Sequence, residues 1–164
     1  MNTSSTQPTD VAIDVLQRLL VVCADGAAGY RHAAAGIPDR SIHAMLARNA
    51  AQREEVESVL TYALVELGFK PSHHGSVAGA VHRRWLDTLP AVKADATRAI
   101  LHECQRGERE TIEAFSAALG RSLPTSVHNV VQSQLGRVLE ASAALGREVL
   151  ALDEGDGAAQ KSKS

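Results

Sequence analysis

The stretch that most constrains the fold is Ala96–Leu119, ATRAILHECQRGERETIEAFSAAL, where Ile100, Leu101, Cys104, Ile112, Phe115 and Leu119 fall at helical spacing. Such a pattern marks one apolar stripe along a helix of about six turns. Glu108 lies inside that stripe, one turn beyond Cys104 and one before Ile112, whereas Arg106, Arg109, Glu110 and Glu113 point elsewhere. A carboxylate aimed at a core needs a partner, and the nature of that partner limits the chemistry open to the chain.

Three further stretches show the same periodicity. The first, from about Asp10 to Ala35 and capped by Asp10 or Thr9, puts Leu16, Leu19, Cys23, Ala27 and Tyr30 on one face; Asp14, Arg18, Asp25 and His32 lie opposite. Gly36-Ile37-Pro38-Asp39 stops it and restarts the chain, with Gly36 as a C′ glycine. The second, about Asp39–Leu67, carries Ile42, Met45, Leu46, Val56, Leu60 and Leu64 inward, but its middle is polar, with Asn49, Gln52 and Arg53 at inward positions. The fourth, about Thr125–Leu152, carries Val127, Val131, Val138, Leu145 and Val149 inward and is interrupted by Gln134.

Between the second and third stretches, residues 69–93 make a connection far longer than the few residues usual between neighbouring bundle helices. It holds a short helical piece, GSVAGAVHRRWLDTL, with a stripe of Ala78, Val81, Trp85 and Leu89. The expected fold class is therefore all-α: a ferritin-like four-helix bundle, two helical hairpins joined by a long crossover containing a short helix. Aromatic residues make up only 3% of the chain, so the core is aliphatic and Ala-rich. Residues 1–9 and 153–164 read as disordered termini around one domain, 10–152. A Cys-x-x-Gly echo, Cys23 to Gly26 and Cys104 to Gly107, fits a duplicated hairpin.

Counting 1.5 Å per residue from the helix ends puts Arg53, Glu108 and Gln134 within about one turn of mid-bundle, with Asn49 and Gln52 close by. Three readings of this layer stay open: a buried Glu108–Arg53 pair completed by Gln134, Asn49 and Gln52; a degenerate metal or ligand site of Glu108 with Glu103 or His102; or a different register. A di-iron bundle asks for a glutamate from each of two helices and a Glu-x-x-His pair from each of the others. No glutamate here is followed three residues later by histidine.

The segments CADGAAGY, AQREEVESVL, GSVAGAVHRRW and ECQRGE together resemble an uncharacterised bacterial family of ferritin-like four-helix-bundle proteins. The resemblance covers about Val11–Leu152 and implies a ferritin-like bundle with a role in stress or the envelope. It supplies no catalytic residues.

Net charge is −2, which gives no electrostatic footprint for nucleic acid or an anionic membrane. No apolar stretch approaches the roughly 20 residues of a membrane span. Cys23 and Cys104 sit on apolar stripes and are expected reduced, in a cytoplasm. The adjacent His73 and His74, and the run His82-Arg83-Arg84, read as solvated. The expected function is a non-catalytic bundle without cofactor that associates with itself or with a protein partner. The alternatives are an iron-dependent oxidase or iron-storage protein, and a module binding a small ligand in the polar layer.

Overall fold

The structure is a computed structural model that describes residues 7–70 and 94–161, with side chains over 7–70 and 96–154. Four helices account for nearly all of it: α1 (Pro8–Ala35), α2 (Arg40–Glu66), α3 (Ala94–Leu119) and α4 (Thr125–Lys161). The helical piece expected at 75–89, with His73, His74, His82, Arg83 and Arg84, lies outside the described residues.

α1 begins two residues before Asp10, at Pro8, and its N-cap Gln7 makes no side-chain cap bond. Proline at the first helical position explains the shift from Asp10 or Thr9: its fixed φ suits the helix, and the N–H it lacks would have had no intrahelical partner. α2 starts where expected, with Asp39 Oδ1 accepting from Ser41 N at 2.8 Å and Ile42 N at 3.1 Å. Gly36 ends α1 with φ −90° and not left-handed; the left-handed turn, φ 78°, is at Gly68 after α2. α4 runs on to Lys161, past the Leu152 end read from the sequence. Each residue added to an existing helix gains a backbone bond without a new nucleus, and Asp153 is held by an ion pair to Arg98 at 3.1 Å.

The helices pack as a square, in which α1 neighbours α2 and α3, and α4 neighbours the same two. α1/α4 and α2/α3 are the diagonals. Ile100, near the start of α3, lies against Gly36 at the end of α1, and Arg98 pairs with Asp153 near the end of α4. α3 therefore starts at the end of the bundle where α2 starts, and the two run parallel. A chain leaving α2 must return through about 40 Å to begin α3. This is the hairpin, crossover, hairpin topology of a ferritin-like bundle.

The core is split along its length. One apolar cluster, at the end where α1 begins, includes Leu16, Val56, Leu60, Phe115, Val131 and Val138. The other, around the α1–α2 turn, includes Ile37, Ile42, Leu46, Leu101, Leu145 and Val149. Between them α2 and α3 present Arg53 and Glu108, both buried. Among the described residues no helix is long and apolar enough to cross a membrane.

Candidate functional site: the buried Arg53–Glu108–Tyr30 layer

One turn of α2 reaches all three other helices. Successive residues of a helix differ by 100°, so Gln52-Arg53-Glu54-Glu55 fans outward. Gln52 Nε2 donates to the Arg137 carbonyl of α4 at 2.8 Å, and Glu55 forms an ion pair with the Arg137 side chain. Glu54 pairs with Arg31 of α1. Arg53 crosses the diagonal, and its Nη2 donates to Glu108 Oε1 on α3.

The same oxygen, Glu108 Oε1, accepts from the Tyr30 hydroxyl of α1 at 2.7 Å. Arg53 is 0% exposed and Glu108 3%. Space for the arginine arm comes from Gly26, where an added Cβ would lie 3.2 Å from Arg53 Nε and 3.5 Å from its Cγ and Cδ. Gly107, the other half of the Cys-x-x-Gly echo, has nothing within 4 Å of its would-be Cβ, so the echo has no matching role.

Burial works most strongly on the guanidinium and against its charge, but the Glu108 charge, with smaller contributions from Cys23, Tyr30 and the Glu108 hydrogen bond, offsets it and holds the Arg53 pKa above the usual arginine value. Burial first, then the Glu108 charge and its hydrogen bond, push the Tyr30 phenol well above its ordinary range, so Tyr30 stays a donor. Burial also pushes the thiols of Cys23 and Cys104 up to about 12. With pKa values near 12, almost no thiolate exists at pH 8. Both thiols are therefore expected to react with a disulfide reagent at pH 8 far more slowly in the folded protein than in urea, which timed thiol counts will check.

A family model described as a domain of unknown function (DUF2383) matches residues 11–121. The chain belongs to that family. A solved structure of a Mycobacterium smegmatis Dps1 mutant is similar in fold, with a TM-score of 0.70 at 17% identity, covering 89% of this chain and 99% of that one. No functionally curated protein matches. The ferritin-like, all-α reading of the sequence and its likeness to an uncharacterised family therefore stand.

The other residues read as part of the layer in this DUF2383 chain do not close around the pair. Asn49 is buried, but its Nδ2 contacts Met45 Sδ at 3.5 Å. Gln52 is half-buried and turned to α4. Gln134 is buried on α4 between Val131 and Val138, both of one apolar cluster, and its Oε1 has no hydrogen-bond partner among the described residues. Arg53 Nε and Nη1 and Glu108 Oε2 likewise have none there. A closed network of five side chains is thus replaced by a three-residue unit with atoms to spare. Helical counting puts Tyr30 and Gly26 at inward positions of α1 at this height, without showing that one donates to Glu108 and the other seats the arginine. The available signal was a tyrosine on a buried stripe, whose hydroxyl needs a partner.

The alternative metal set does not assemble. His102 is exposed, with Nδ1 3.2 Å from Gln105 Oε1, and Glu103 pairs with Arg106. Among the described residues no three His, Cys, Asp or Glu side chains are placed to hold a metal ion. A di-iron centre of the kind this topology carries elsewhere needs several inward carboxylates and two imidazoles. Among the described residues one carboxylate is buried, and a guanidinium already balances its charge, so these residues do not fit such a centre.

Proposed function

We propose that the chain is a non-catalytic ferritin-like bundle that acts by association, with copies of itself or with a protein partner, in the cytoplasm and in stress adaptation. The observation that carries this is the Arg53–Glu108 pair. Glu108, the one fully buried acidic group among the described residues, is neutralised by another side chain of the same protein, so the interior works as structure and the outer faces are left for function. Those faces carry large apolar side chains open to water: Tyr62 (66%) and Val65 (53%) one turn apart on α2, and Leu139 (47%) and Leu150 (61%) on α4. Tyrosine in particular suits an interface, being apolar on its faces and polar at its tip.

Light scattering after size exclusion, with elemental analysis of protein purified in air, tests the reading. A defined oligomer or complex with far less than one iron per chain is expected. A monomer at every concentration holding about two irons per chain, lost on Glu108→Ala, would replace this reading with the oxidase or iron-storage one.

A further inference from the structure

We infer that Arg53 is a tethered cation that fills the place a metal ion would take against Glu108, and that this residue, not the topology, closes the middle of the bundle to divalent metals. The inference rests on the reading of the interior as non-catalytic and is independent of the association. Three observations lead to it. The carboxylate is in the right place for a ligand: at mid-height on α3, 3% exposed, between two apolar clusters. The cation against it is itself wholly buried and comes from the diagonal helix, so it crosses the centre of the square.

The third observation concerns α1. At this height the helix gives up a side chain altogether at Gly26, and the arginine arm lies in the room so made, with Nε 3.2 Å from the missing Cβ. One turn further on, the same helix supplies Tyr30, which donates to the carboxylate oxygen that Arg53 also uses. Three helices thus build a neutral unit from one positive and one negative charge. A divalent ion entering it would meet the guanidinium at close range in a medium that screens poorly, with a single carboxylate to attract it. Tyr30 and both thiols stay protonated at neutral pH, and of the half-buried carboxylates felt by the thiols, Glu57 and Glu103, the second is held by Arg106.

Removing the guanidinium inverts the balance. Arg53→Ala leaves a buried carboxylate, a phenol oxygen and the volume of the lost side chain, with the thiols of Cys23 and Cys104 one turn from Gly26 and Glu108 along their own helices. The carboxylate and the phenol oxygen, with water entering the emptied volume, are the oxygen donors for a small cation; Cys23, Cys104 and Glu108 are not together placed to hold it.

The experiment titrates Zn²⁺ and Mn²⁺ into four purified full-length proteins: wild type, Glu108→Gln, Arg53→Ala and the double variant. Ion binding is followed by calorimetry and helix content by circular dichroism. Wild type and Glu108→Gln are expected to take up the same number of ions. Arg53→Ala is expected to bind one of the metals about tenfold or more tightly than wild type does, through an event that the double variant loses. Binding by wild type that Glu108→Gln abolishes would overturn the inference, as would a folded Arg53→Ala protein that gains no ion. If Arg53→Ala does not fold, Arg53→Met, which keeps the arm without the charge, takes its place beside the comparison of wild type with Glu108→Gln. Ions bound equally by those two proteins lie elsewhere; stoichiometric uptake there would count against the proposed function and leave this inference standing.

Discussion

Glu108→Ala is expected to destabilise the protein by about 3–5 kcal/mol, because it leaves a wholly buried guanidinium without its counter-charge. For a domain of this size the loss amounts to a fall in melting temperature of roughly 6–20 °C. Most of it is the cost of an unpaired buried charge and does not measure what the pair contributes. The triple substitution Arg53→Met, Glu108→Leu and Tyr30→Phe removes both charges and the hydroxyl that Glu108 accepts from, keeps most of the volume, and is expected to be neutral or stabilising by about 1–4 kcal/mol. Urea unfolding of the single and triple variants measures both outcomes. A Glu108→Ala protein that unfolds with the wild type would show that the guanidinium finds another partner.

Gly26→Val is the second large effect. A Cβ alone would come to 3.2 Å from Nε, in the middle of the arginine arm and not at its flexible end. A branched side chain must therefore push the arm off Glu108, at a cost of about 2–5 kcal/mol from overpacking and the weakened pair. Gly136 is the control, since a Cβ there meets nothing within 4 Å. Gly136→Ala is expected to gain up to about 1 kcal/mol from helix propensity alone. If both substitutions shift the thermal midpoint in the same direction, Gly26 is not the seat of the arginine.

The contrast between these glycines shows where the sequence is legible. Helix periodicity, the stop at Gly36-Ile37-Pro38 and the length of the crossover are local signals, and they are enough for the four helices and their connectivity. Heights along parallel helices can also be counted: Arg53 and Glu108 are each about a dozen residues from helix starts at the same end, and their side chains meet. Gln134 comes out at the edge of the one-turn agreement that counting gives. The count assumes that α4 starts level with the end of α3, whereas the link through Gly120–Pro124 adds height of its own. Gln52 bonds the Arg137 carbonyl, so α4 reaches the height of the arginine about one turn after Gln134.

Direction around the helix axis is harder to read than height. That Gly26 seats an arginine while Gly107, in the same Cys-x-x-Gly frame, faces open space depends on which neighbour each helix turns toward. No one-dimensional pattern carries that. The QREE run of α2 is legible afterwards as one turn whose four side chains each address a different part of the bundle: the Arg137 backbone, Glu108, Arg31 and the Arg137 side chain. Before the fold is known, it reads only as a polar break in an apolar stripe.

The ionic partition between the two halves of the core is expected to insulate them thermodynamically. Leu60 and Leu46, each 0% exposed, sit on opposite sides of it on the same helix. Damage on one side is expected to relax within its own apolar cluster and to stop at the Arg53–Glu108 pair. Truncations of these two leucines should therefore add without coupling, as distant sites do, leaving one compartment free to change its packing while the other keeps the helices in register.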